Sequence, residues 1–149
     1  INPGHFDNTS SIIQQGLFEL QAASKQAGLQ IQLAAAAEVR LSTEILTWAE
    51  KGMLPFIGKY QGFDVLLLEF PHSHIPAGAD KLVKWLISKN ILPMIAHPER
   101  NRDVQSDLAK LAPFIRLNCL FQLTASSVLG DMGERSTALA VQLLKQKHI

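Results

Sequence analysis

Three residues capable of acid–base or metal chemistry stand at the ends of apolar runs: Glu38 closes AAAAE, Glu69 follows VLLL in FDVLLLEF, and His97 follows PMIA. They are 31 and 28 residues apart, about one strand-plus-helix unit each. If each run is a strand of a parallel sheet, three strand tips present two carboxylates and one imidazole at the same face, where loops converge on one crevice. A glutamate at the end of such a run is costly to bury ionised and unpaired, and a divalent cation is a natural partner for it. The mixed oxygen and nitrogen donors suit zinc, manganese or iron without choosing among them. The competing reading pairs both glutamates with basic residues such as Arg40 and lets His97 hydrogen-bond a loop carbonyl, since ion-pair networks are common around buried charges. The coincidence of three strand tips favours the metal site.

Arg100 lies three positions beyond His97 in HPER. Pro98 stops the strand, and the guanidinium fork of Arg100 can reach a phosphate held at the site; planar bidentate donors suit that anion better than lysine does. Arg40, two positions past Glu38 and on the same face if the pleat continues, is a second candidate for this electrostatic work. His72 and His74 in PHSH could extend a metal site, although their loop position favours solvated or bracing histidines. His5 and His148, near the two ends, read as structural. Cys119 sits in an apolar run where inert burial is the default, and it cannot open a C-x5-R phosphatase loop because Ala125 stands where the arginine is needed. GxSxG, Walker and dinucleotide-binding motifs are absent from the sequence.

The elements that must position these residues alternate along the chain. Ile13, Leu17, Leu20 and Ala27 recur at helical spacing, which predicts a helix over Thr9–Ala27 with Asn8 or Thr9 as cap and Gly28 at its end. The run Leu29–Leu41 reads as a strand covered on both faces, and Ser42 or Thr43 caps a short helix through Ile45, Leu46 and Trp48 that Gly52 ends. A strand over Phe63–Phe70 stops at Pro71. A helix over Ala79–Lys89 follows, then a strand over Ile91–Ala96, a short helix near Ser106–Leu111, a strand over Leu117–Thr124 and a final helix over Glu134–Lys147. The order αβαβαβαβα is that of parallel β/α units.

The composition of the 149 residues sets the outer bounds. With 47% hydrophobic and 18% charged residues, the chain suits one globular domain and is too apolar to be disordered. A formal charge of +1, with basic residues scattered singly, provides no stripe for nucleic-acid phosphates or an anionic membrane. The apolar runs fall short of a membrane helix. One cysteine excludes an intramolecular disulfide and fits a reducing compartment, so the expected location is cytoplasmic. The chain starts at Ile1 without a methionine, on a turn-like Asn2-Pro3-Gly4, as expected of part of a longer protein.

The stretches NPGHFDNTSSI, AEVRL, KYQGFDVLLLEFP, PMIAHPERN and FQLTASSVLGDMGERS, in collinear order over the whole chain, resemble the bacterial PHP-type protein tyrosine phosphatases encoded with capsular and exopolysaccharide genes (CpsB/CapC type). The resemblance implies a PHP domain, a distorted TIM-like β/α barrel with a trinuclear metal centre at the strand C-termini. It implies removal of phosphate from tyrosine, on a bacterial tyrosine kinase that regulates polysaccharide synthesis, by attack of a metal-bound hydroxide. By motif, Glu38 resembles the carboxylate bridging two metals, Glu69 and His97 resemble ligands of one of them, and Arg100 resembles the arginine that holds the phosphoryl group. Manganese is the first expectation for the metal, with iron or zinc as alternatives.

Such enzymes also carry a His-x-His strand, a further histidine just ahead of the segment matching Ile1, and an Asp-x-His strand after the final helix. These elements are absent from the 149 residues, and His5 does not stand in for the upstream histidine. The expectation is therefore a single domain, residues 1–149, forming the middle of the barrel without its first and last strands. Its metal site should be incomplete and its own activity negligible, and exposed sheet edges, or the apolar face of the Thr9–Ala27 or final helix, should make it self-associate. The rival readings are a PHP phosphoesterase acting on a small phosphorylated metabolite such as histidinol phosphate, and a non-catalytic interaction module that keeps the fold.

Overall fold

The computed structural model describes residues 1–146. Helix α1 (Ser10–Gln26) is capped by Thr9, whose Oγ1 accepts from Ile12 N, and Gly28 leaves it at φ +71°. Strand β1 (Val39–Arg40) leads to α2 (Glu44–Glu50), the hairpin β2 (Gly58–Tyr60) and β3 (Phe63–Glu69), then α3 (Ala79–Ser88) and β4 (Ile91–Ala96). After a 3-10 turn at Pro98–Arg100 come α4 (Arg102–Ser106), a second 3-10 turn (Leu108–Leu111), α5 (Ala112–Arg116), β5 (Leu120–Gln122), α6 (Ala125–Leu129) and α7 (Glu134–Lys145). The expected Lys147 end of the last helix, and His148, lie outside the described residues.

The sheet runs β1-β3-β4-β5, all parallel, with β2 antiparallel on β3. It is an open α/β sheet and does not close into a barrel within the described residues. Val65, Leu66, Leu68 and Ile95 bury their side chains, α3 turns Val83 and Leu86 onto the sheet, and α7 adds Leu139 and Leu143. Phe70 and Phe114 pack with ring centroids 5.0 Å apart and tilted by 51°, a favourable aromatic geometry.

Several elements differ from the sequence-based expectation. The strand expected over Leu29–Leu41 survives only as Val39–Arg40. Parallel pairing matches Val39 to Leu68 and Arg40 to Glu69, while β2 already occupies the same edge of β3 opposite Phe63–Val65. The preceding residues thus have no ladder partner there, and Leu29 and Ile31 stay more than half exposed. The strand expected over Leu117–Thr124 shrinks to Leu120–Gln122, because Leu117 and Asn118 close α5, with Asn118 at φ +54°. The helix expected near Ser106–Leu111 ends at Ser106 instead. Asp107 is extended, and its carboxylate accepts from Ala109 N at 2.9 Å to cap the following 3-10 turn. Helix α1 forms where expected but leaves Ile12, Phe18 and Leu20 exposed.

Candidate metal and phosphoryl site

Parallel strands carry their C-terminal ends to one side of the sheet, and the carboxylate and imidazole heads of Glu38, Glu69 and His97 gather there. One donor atom from each lies within 4.8 Å of the others. Glu69 is the last residue of β3, and His97 directly follows β4. Glu38 departs from the expected position: it immediately precedes β1 rather than ending a strand. It reaches the cluster because β1 meets β3 only at the latter's C-terminal end.

Each member is held by a specific contact. Glu38 Oε2 lies 3.1 Å from His97 Nε2. Arg40 stands opposite Glu69 in the β1–β3 register and donates from Nη1 to Glu69 Oε2 at 2.9 Å. Arg40 is thus the ion-pair partner of a proposed ligand. His97 adopts φ +31°, ψ +56°, a left-handed conformation that costs energy in a non-glycine residue and persists only where its surroundings fix it. They do so here: the His97 N–H donates to the Gln122 carbonyl at 2.7 Å, with Gln122 Oε1 at 3.2 Å.

The electrostatics couple the cluster. The His97 hydrogen bond outweighs partial burial and, with the charges of His97 and Arg100, holds the Glu38 carboxyl below the usual range. Burial by itself pushes the His97 imidazolium down, but the hydrogen bond and charge of Glu38, with Glu69 adding to them, outweigh it and leave its pKa above the ordinary value. When protonated, His97 places a positive charge against the Glu38 carboxylate and near that of Glu69. A divalent cation would do the same, and two carboxylate oxygens plus one imidazole nitrogen at this spacing suit first-row ions with ligand distances of about 2 Å. The donor set fits such an ion.

Arg100 closes the 3-10 turn that starts from His97, its N–H donating to the His97 carbonyl at 3.0 Å. Its guanidinium has no ion-pair partner among the described residues, and its charge is felt at both Glu38 and His97. A cavity of about 480 Å³ opens beside Glu38, Arg40 and Glu69. The larger cleft of about 640 Å³, by Tyr60, Leu92 and Leu120, contains no carboxylate or imidazole. Cys119 lines that second cleft, and burial pushes its thiol up to about 12, which keeps it protonated and inert.

Two supporting residues escaped the sequence reading. Glu99 is fully buried, and its Oε1 accepts from Thr124 N at 3.0 Å and Ser127 Oγ at 2.8 Å, tying the His97–Arg100 turn to the start of α6. Asn101 caps α4 through Oδ1, which accepts from Asp103 N and Val104 N, while its Nδ2 donates to the carbonyls of Pro71 and His74. An asparagine just before a helical stretch is a cap signal and would have pointed to Asn101. Nothing local marks Glu99, whose partners lie 25 and 28 residues away.

The family model described as capsular polysaccharide synthesis, CpsB/CapC, matches residues 1–149. A Staphylococcus aureus protein provisionally named tyrosine-protein phosphatase CapC is 30% identical over 93% of this chain and 53% of its own length. The Bacillus subtilis tyrosine-protein phosphatase YwqE is 26% identical over 99% of this chain and 57% of its own length. A solved structure, from work describing B. subtilis YwqE and Streptococcus pneumoniae CpsB as metal-dependent tyrosine phosphatases, superposes with a TM-score of 0.85 at 25% identity, over 98% of this chain and 58% of that one. The chain thus spans little more than half the length of the relatives it matches.

Proposed function

Because this chain belongs to the CpsB/CapC family of capsular polysaccharide synthesis, we propose that it is the central part of a metal-dependent phosphatase that removes phosphate from protein tyrosine. The observation that carries this reading is the convergence of Glu38, Glu69 and His97 within 4.8 Å, beside an arginine with no ion-pair partner among the described residues. In this reading the open sheet is the middle of a PHP-type, distorted TIM-like barrel whose first and last strands lie outside these residues. Its substrate is a phosphotyrosine protein, a bacterial tyrosine kinase controlling capsule or exopolysaccharide synthesis. The names of the relatives support the chemistry. A cytoplasmic location, where the Cys119 thiol stays reduced, belongs to the same proposal, as does self-association of this chain through a sheet edge or an apolar helix face.

Glu38, Glu69 and His97 would hold the divalent metal, with manganese preferred over iron or zinc. When bound, such ions lower the pKa of a coordinated water and polarise phosphoryl oxygens. Arg100 binds the phosphoryl oxygens and absorbs charge as it develops in the transition state. Arg40 keeps Glu69 in one rotamer through its 2.9 Å contact, and the Gln122 carbonyl fixes the backbone from which His97 projects.

The test compares this chain with a version extended to the relatives' length, each assayed with Mn²⁺ on a phosphotyrosine peptide, a phosphoserine peptide and histidinol phosphate. The longer protein should hydrolyse the phosphotyrosine peptide best, and the 149-residue chain should show little or no turnover. Preference for histidinol phosphate would replace protein phosphatase by a metabolite phosphoesterase, and loss of both turnover and metal binding would leave an interaction module.

A further inference from the structure

The loop Pro71–His74, separated from the Glu69 end of β3 by Phe70, contains two imidazoles that the phosphatase reading does not use. The loop is pinned through its backbone: the His72 carbonyl accepts from Arg102 N at 2.9 Å, and the Pro71 and His74 carbonyls accept from Asn101 Nδ2 at 2.7 and 3.1 Å. The two histidines of PHSH then part. His74 Nδ1 lies 2.8 Å from the neighbouring Ser73 Oγ. His72 stacks on His97, with ring centroids 5.9 Å apart and planes within 15°. Its Nε2 comes 3.8 Å from Glu69 Oε1, beyond hydrogen-bonding distance, and half of the side chain is open to solvent.

We propose that the His72 ring is a wall of the substrate pocket, packing against the phenyl ring of phosphotyrosine while the phosphoryl group occupies the Glu38–Glu69–His97 cluster. The proposal rests on the phosphatase reading and deepens it. Bracing does not explain the imidazole, because the loop is held by its carbonyls and by Asn101. Nor does metal ligation, because His72 falls outside the group of donor atoms that lie within reach of one another. What the ring offers is a half-exposed π surface beside the cluster, oriented by stacking. A phenyl ester places its ring one C–O–P linkage from the phosphorus, so a phosphoryl group beside Glu69 brings that ring against the wall Glu69 shares with His72. Aromatic pairs favour such offset or tilted contacts, whereas an alkyl phosphate has no ring to pack. His72 is thereby a positioning residue that selects aryl over alkyl esters.

The experiment uses the metal-loaded protein of the relatives' length, unsubstituted and as His72→Ala and His72→Phe. Metal content, KM and kcat on a phosphotyrosine peptide, and calorimetric Kd values for phenylphosphonate and methylphosphonate are measured together. His72→Ala should raise KM and the phenylphosphonate Kd about three- to tenfold, the scale of one aromatic pair, with kcat, methylphosphonate affinity and metal content unmoved. His72→Phe should restore tight binding, since the ring face and not its titration is what matters. Equal weakening of both phosphonates, loss of metal, a His72→Phe variant as weak as the alanine one, or unchanged phenylphosphonate affinity would each overturn the wall. The phosphatase reading fails separately: an unsubstituted protein that binds phenylphosphonate through His72 but hydrolyses no phosphotyrosine would remove that reading alone.

Discussion

Arg100 and the Glu38–His97 pair give the sharpest expectations at the scale of single residues. In a protein of the relatives' length, Arg100→Ala should lower kcat on phosphotyrosine by about two to three orders of magnitude, the scale for removing one transition-state charge stabiliser. Metal content should not change, and Arg100→Lys should recover only part of the loss, because lysine lacks the bidentate fork. Steady-state kinetics with elemental analysis checks this. The ion pair makes a separate prediction for the metal-free chain. Glu38 titrates below its ordinary value of 4.5, so its contribution is complete above that pH and disappears as pH falls through the folded-state value. His97 titrates above its ordinary 6.5, so its contribution is complete below 6.5 and disappears as pH rises through the folded-state value. The stabilisation is thus full between pH 4.5 and 6.5. The Tm difference between the unsubstituted chain and His97→Ala should be largest there and shrink on either side. Glu38, Glu69 and His97 were legible because a charged residue ending an apolar run is conspicuous. The sequence also offered Arg40 as a basic partner for either glutamate, and it is the β1–β3 register, not the spacing, that selects Glu69.

At the scale of elements, the turn that displays His97 and Arg100 is tied to the start of α6 through Glu99. Glu99→Ala would leave Thr124 N–H and Ser127 Oγ without their acceptor in a buried site, at a cost of about 1–3 kcal/mol. Glu99→Gln keeps the accepting oxygen, and Glu99 Oε2 has no hydrogen-bond partner to lose, so the amide should cost less. Urea unfolding of the two variants checks the order. Helices α2 and α3 and strand β4 were legible because periodicity, caps and Pro98 mark them locally. The Leu29–Leu41 run misled because strand formation needs a free neighbouring edge, and β2 takes that edge of β3. A three-residue hairpin strand made of Gly58, Lys59 and Tyr60 has no apolar alternation to announce it.

For the whole molecule, the sheet order places β1 at one end and β5 at the other. Beyond β1, the first residue continues the pairing: the Arg40 N–H donates to the Ile1 carbonyl at 2.8 Å, and the Ile1 amino group donates to the Glu38 carbonyl. Along α1, Ile12, Phe18 and Leu20 are 56%, 68% and 57% exposed on different sides of the helix, apolar side chains that association would cover. The 149-residue chain should therefore run larger than its 16.4 kDa in light scattering, and Phe18→Lys should shift it toward the monomer. A monodisperse monomer would refute the association. Among the described residues, no helix is long and apolar enough to cross a membrane.

Anomalous scattering at the manganese edge, from crystals of the protein at its relatives' length, decides whether Glu38, Glu69 and His97 hold the metal ions of a phosphatase. Anomalous peaks are expected about 2 Å from Glu38 and Glu69 carboxylate oxygens and the His97 imidazole nitrogen, with the peak beside Glu69 and His97 lost in a Glu69→Gln crystal. An active protein whose manganese lies elsewhere, with these three side chains keeping only their contacts to one another and to Arg40, would contradict it.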